Sequence, residues 1–183
     1  MNIPNILTGL RIVLIPVFVL FFYLPVSWGH EAAAIIFALA CITDWLDGYL
    51  ARTLKQTSAF GAFLDPVADK LAVAFVLVLL VGDRGIPYIT LPAAIIVGRE
   101  IVVSALREWM AELGQRTSVA VSYVGKFKTF IQMLALILLL AFRPDESILG
   151  VLGFIFLYLS AFLTLWSMFV YLKVAWPELT KKS

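Results

Sequence analysis

Apolar residues run along the chain in long blocks, and polar residues gather in short stretches between them. A helix that crosses a bilayer needs roughly 20 mostly apolar residues. Six blocks meet that length, at about 5–24, 31–51, 61–81, 86–109, 122–142 and 147–172. Pro4, Gly82 with Asp83, Pro87, Gly114 and Arg143 with Pro144 punctuate them. No repeat, low-complexity tract or soluble domain interrupts the series, so residues 1–183 read as one membrane domain. The pattern predicts an all-α, polytopic integral membrane protein with six transmembrane helices. The first block, with Arg11 ahead of an apolar run over 12–24, has a secretory signal as its competing reading, but the residues before Arg11 form no basic leader. Aromatic residues recur in the last block from Phe154 to Tyr171, as expected of a lipid-facing surface or a homodimer face.

Composition agrees with this pattern. Hydrophobic residues make up 62% of the chain and charged ones 14%, and the mean hydropathy is +1.00, far above that of a soluble domain of this length. The net charge of +2 argues neither for nor against nucleic acid, and no nucleic-acid partner is expected. The single cysteine, Cys41, excludes an intramolecular disulfide and a thiolate metal cluster. The single histidine, His30, falls in a short loop and has no expected catalytic role.

Basic residues set the orientation. Arg84 and Arg143 fall after the third and fifth blocks. On the other side lie Arg11, Arg52, Lys55, Arg107, Arg116, Lys126, Lys128 and the C-terminal lysines. That asymmetry predicts both termini in the cytoplasm. It also gathers scattered polar residues at one membrane depth: Asn5, Thr8 and Arg11 at the start of block one, Asp44 and Asp47 at the end of block two, Asp65 and Asp69 at the start of block three. Arg99 and Arg107 in block four and Lys126 and Lys128 in block five join them.

The four aspartates carry the chemistry. An Asp at the centre of a lipid-facing helix costs about 2.5 to 3.5 kcal/mol, so four of them demand a reason. Asp44 and Asp47 are spaced i,i+3 and Asp65 and Asp69 i,i+4, so each pair shares one helix face. Gly48, Ala51 and Gly61 lie beside them and leave room for a ligand. Clustered carboxylates repel unless cations sit among them. An all-oxygen ligand set favours a hard cation, Mg²⁺ or Mn²⁺, and two such ions bridged by carboxylates form a clamp for displacement at phosphorus. Arg52, Arg99, Arg107, Lys126 and Lys128 add positive charge suited to phosphates. Three other readings stay open at this point: a proton or cation relay in a transporter, structural salt bridges to Lys70 and Arg99, and an intramembrane aspartyl protease, which four aspartates fit poorly. The stretch "GKFKT" at 125–129 resembles the end of a phosphate-binding loop, but Ala120 stands where that loop needs glycine. Its plain reading is a basic cluster against anionic headgroups.

The aspartate segment resembles the signature of the CDP-alcohol phosphotransferases, D-x2-D-G-x2-A-R-x8-G-x3-D-x3-D. Asp44, Asp47, Gly48, Ala51, Arg52, Gly61, Asp65 and Asp69 match it at every spacing, and length and helix number agree. The resemblance implies that Asp44, Asp47, Asp65 and Asp69 hold a pair of divalent metals. It implies that Asp69 is the catalytic base on the acceptor hydroxyl, and that Gly48, Ala51, Arg52 and Gly61 receive the CDP-linked lipid. The implied reaction is attack of an alcohol on the β-phosphorus of CDP-diacylglycerol, releasing CMP. Within the family, "PNILTGLR" at 4–11, "REIVVSALRE" at 99–108 and "GKFKTFIQ" at 125–132 resemble the bacterial subgroup whose acceptor is sn-glycerol 3-phosphate. That implies an inner-membrane enzyme with its site facing the cytoplasm. Asn5 and Thr8 are then nucleotide contacts, or simply a helix cap. Arg99, Arg107, Lys126 and Lys128 would bind the acceptor phosphate, unless Arg99 and Glu100 only neutralise each other. Inositol phosphate is the competing acceptor.

Overall fold

A computed structural model describes residues 3–54, 59–83, 86, 88–112 and 123–179. They form six helices: α1 (Ile3–Tyr23), α2 (Gly29–Leu54), α3 (Ala59–Gly82), α4 (Thr90–Glu112), α5 (Tyr123–Ala141) and α6 (Ile148–Leu179). Every predicted block has its helix. The shortest, α5, has 19 residues, which at 1.5 Å per residue is about 28 Å, close to the thickness of a hydrocarbon core. The boundaries differ at three places. α2 runs on to Leu54 and α6 to Leu179, past the apolar stretches that located them. α4 begins at Thr90 rather than 86, because Tyr88 takes a left-handed backbone (φ 63°) that no helix continues through. Ile86 and Ile89 are buried, so apolar character there reflects a packed turn.

The helices close into a ring. α1 packs on α2, α2 on α5, α5 on α6, α6 on α4, α4 on α3, and α3 returns to α1. α3 also touches α5 and α2, so it lies across the inside of the ring. The core is aliphatic and aromatic: Phe18 of α1 meets Phe37 of α2 edge-on at 5.8 Å, and Val76, Leu77 and Leu80 of α3 are fully buried with Leu136 and Leu140 of α5. α5 and α6 approach closely at Gly153, where an added Cβ would lie 2.9 Å from Cβ of Leu138. His30 lies in the first turn of α2 rather than in a loop, its ring tilted against that of Phe22 with centroids 4.7 Å apart.

Short connections force neighbouring helices to run antiparallel, and side-chain contacts fix the two ends. Arg143, after α5, is 3.9 Å from Asp83, after α3, and the Tyr158 hydroxyl of α6 donates to the Tyr88 carbonyl at 2.8 Å. The starts of α1, α3 and α5 and the ends of α2, α4 and α6 therefore meet at the opposite end. Among the described residues, α1, α2 and α6 are long and apolar enough to cross a membrane, over Ile6–Tyr23, Gly29–Leu46 and Ile148–Lys173. α5 has a shorter apolar stretch, Phe127–Ala141. α3 and α4 carry charged side chains within their length, Asp65, Asp69 and Lys70 in one and Arg99, Glu100 and Arg107 in the other.

Candidate active site

Thr8 and Arg11 stand three residues apart on α1, so both side chains leave one face of that helix. They meet the aspartates of the next two helices. The Thr8 hydroxyl donates to Oδ1 of Asp65 at 2.6 Å. One nitrogen of Arg11, Nη1, lies 2.8 Å from Oδ1 of Asp44 and 2.7 Å from Oδ1 of Asp69. Three signature carboxylates from α2 and α3 are thereby drawn to one turn of α1. Pro66 sits inside α3 between Asp65 and Asp69. Without an N–H it cannot donate the local helical bond at the charged end of the helix.

Burial is divided unevenly across this cluster. The Arg11 side chain is 2% exposed, whereas Asp44 and Asp69 are 43% and 42% exposed. The guanidinium is thus the buried partner of the cluster and the carboxylates the exposed ones. A buried cation without partners would cost several kcal/mol, and two carboxylate oxygens offset that.

A second cluster belongs to α4, α5 and α6. Arg99 donates through Nη1 to Glu100 at 2.8 Å and through Nη2 to the Ser167 hydroxyl at 3.3 Å. Lys128, buried at the start of α5, places Nζ 3.9 Å from the same Glu100 oxygen. Arg107 donates to the Tyr171 hydroxyl at 2.8 Å. Both guanidinium groups lie over the Tyr171 ring, Arg99 at 5.9 Å and Arg107 at 5.2 Å from its centroid. The Nε of Arg99 is buried with no hydrogen-bond partner among the described residues. Such an orphaned donor is uncommon and suits an arriving anion. The two clusters are joined: Lys70, next to Asp69, donates to Ser104, whose hydroxyl donates to the Glu100 carbonyl.

Asp44, Asp65 and Asp69 are thus each tied to α1, through Thr8 or Arg11, and Arg99, Arg107 and Lys128 share the second cluster, while Gly61 is buried near the start of α3. The side chains of Asn5, Asp47, Gly48, Ala51, Arg52 and Lys126 lie outside the described residues. Among those described, no three carboxylate, imidazole or thiol groups converge on a single point. The donor set nevertheless fits a hard cation. It is all oxygen, and Asp44 and Asp69 already share one positively charged nitrogen. Arg11, Ser167 and Tyr171 went unassigned in the sequence. The available signal for Arg11 was a cation well inside an apolar helix at the depth of the aspartates. Tyr171, grouped with the lipid-facing aromatics, instead serves the arginines, while Phe162, Trp166 and Phe169 are indeed exposed.

Comparison with known proteins agrees with this geometry. The profile of the family described as CDP-alcohol phosphatidyltransferase matches residues 1–166. A protein of Pseudomonas fluorescens named CDP-diacylglycerol--glycerol-3-phosphate 3-phosphatidyltransferase is 59% identical over 180 residues, covering 98% of this chain and 92% of that one. Proteins of the same name from Yersinia enterocolitica and Sodalis glossinidius are 57% and 58% identical over 179 residues, covering 98% of this chain and 97% of theirs. With its aspartate signature folded against one turn of α1 and its match running nearly end to end, the chain belongs to the CDP-alcohol phosphatidyltransferase family.

Proposed function

We propose that this enzyme transfers the phosphatidyl group of CDP-diacylglycerol to sn-glycerol 3-phosphate, giving phosphatidylglycerophosphate and CMP. The likeness to relatives of that name carries the choice of substrates. The orphaned Arg99 Nε, in a cluster with Arg107 and Lys128, supports a phosphate-bearing acceptor over an uncharged one. Asp44, Asp47, Asp65 and Asp69 would hold two divalent cations, Mg²⁺ or Mn²⁺, which would neutralise the pyrophosphate and stabilise the leaving phosphate. Asp69 takes the proton from the acceptor hydroxyl as its oxygen bonds to the β-phosphorus, and the bond from that phosphorus to CMP breaks. Thr8 orients Asp65. In this reading Asn5, Gly48, Ala51, Arg52 and Gly61 would receive the cytidine and pyrophosphate, and Arg99, Arg107, Lys126 and Lys128 would bind the acceptor phosphate.

All six helices span the bacterial inner membrane in this reading, with both termini and the charged end on the cytoplasmic side. The charged residues of α3 and α4 fit such a span because they find polar partners at one end of the bundle: Asp65 and Asp69 on α1, Lys70 at Ser104, and Glu100 at Arg99 and Lys128. CMP release by purified protein with CDP-diacylglycerol and Mg²⁺ tests the reaction. Release is expected with glycerol 3-phosphate and not with serine, inositol or inositol phosphate. Chelator should abolish it, and Asp69→Asn should lower it at least about 100-fold. Release with another alcohol overturns the acceptor, and a folded protein inert with all of them overturns the reaction. In sealed vesicles glycerol 3-phosphate should be used only when the cytoplasmic face is outward.

A further inference from the structure

Arg11 is absent from the eight-position signature, yet it makes the closest ionic contacts in the site. We propose that Arg11 is a permanent counter-charge built beneath the metal-binding carboxylates: it holds Asp44 and Asp69 together while no divalent cation is bound, and so weakens the binding of one. This rests on the reading of the aspartates as metal ligands.

The geometry supplies the argument. One Arg11 nitrogen contacts a carboxylate oxygen from α2 and another from α3, at 2.8 and 2.7 Å. The two oxygens are therefore no farther apart than those contacts laid end to end. Without a cation between them, two carboxylates at that separation repel and drive their helices apart. The guanidinium is almost wholly buried while both carboxylates are substantially exposed, so the fixed charge is withheld from solvent and its two partners are not. A carboxylate has two oxygens and can serve a guanidinium with one and a metal with the other. Asp65 is held differently, by the neutral hydroxyl of Thr8. Of the two α1 side chains described at these carboxylates, only Arg11 carries charge, and a guanidinium does not lose its proton in a protein. An arriving divalent cation meets carboxylates already partly neutralised, with a fixed positive charge just behind them.

The test uses the full-length purified chain in detergent, with Mn²⁺ as the probe. The paramagnetic signal of free Mn²⁺ reports binding, and thermal unfolding is followed with Mn²⁺ and with chelator. Arg11→Gln should bind Mn²⁺ about 10-fold more tightly than the natural protein, since one nearby positive charge is gone. Its melting temperature should fall further in chelator, widening the gap between the two conditions. An Arg11→Gln protein that folds only with Mn²⁺ present is the extreme form of the same result. Mn²⁺ binding that is equal or weaker, with an unchanged gap, overturns the proposal and makes Arg11 a strut that the metal site requires. Should Arg11→Gln fold in neither condition, Arg11→Met decides. It is equally uncharged and its apolar chain suits the buried site, so Mn²⁺ should bind more tightly than in the natural protein, and binding no tighter overturns the idea. Natural protein that binds no Mn²⁺ at all would sink the metal reading itself, an outcome distinct from the others.

Discussion

Tyr171 holds two like charges with one side chain. The guanidinium groups of Arg99 and Arg107 would repel, but both lie over its ring, and its hydroxyl accepts a hydrogen bond from Arg107. In the proposed reading this keeps two cations close enough for one dianionic phosphate. Tyr171→Phe removes the hydroxyl and keeps the ring, so KM for glycerol 3-phosphate should rise roughly fivefold. Tyr171→Leu removes both and should raise it further. KM for CDP-diacylglycerol should stay unchanged in both variants, as steady-state kinetics with each substrate varied in turn will show. A fall in kcat alone would deny Tyr171 this role. Residues of this kind escape a reading of spacing. The aspartates declare themselves because each pair lies within one turn of its own helix. Arg11 finds Asp69 across 58 positions and Arg107 finds Tyr171 across 64. Only the fold brings such partners together.

At the scale of the element, apolar length was enough to place all six helices, because each apolar block is itself long enough for several helical turns. The ends were less legible. The start of α4 was hidden by Ile86 and Ile89, which are apolar because the turn is buried, while the backbone at Tyr88 forbids a helix. The seam between α5 and α6 depends on the missing side chain of Gly153. Gly153→Val would drive new atoms into Leu138 and Leu139 and should destabilise the protein by about 1 to 3 kcal/mol, read as a lower melting temperature in detergent. Gly98→Ala is the control. Nothing lies within 4 Å of a Cβ there, and the change should leave the melting temperature equal or slightly higher. Equal losses at both positions would show that close packing at Gly153 is not what matters.

Across the whole molecule, six antiparallel helices collect polar groups from every element at one end, which explains how so greasy a chain carries so many charges. That the aspartates, Thr8, Arg11 and the cations share one end was legible from the sequence. The division into a carboxylate cluster on α1, α2 and α3 and a cationic one on α4, α5 and α6 was not, since helix order around the ring follows from packing. The partnership of Arg11 with later helices also bears on how the chain is made. The ribosome delivers α1 first, so the guanidinium reaches the insertion machinery before Asp44 or Asp69 has been synthesised. A lone arginine within an apolar segment opposes insertion by up to about 3 kcal/mol. In a translation-coupled insertion assay, α1 alone should enter the bilayer less completely than its Arg11→Leu version. Appending α2, which brings Asp44, should erase that difference, and a difference that persists would show that the pairing forms later. The ion pair beneath the site thus doubles as an assembly cue: the first helix is a poor lodger in lipid until the second arrives with its countercharge.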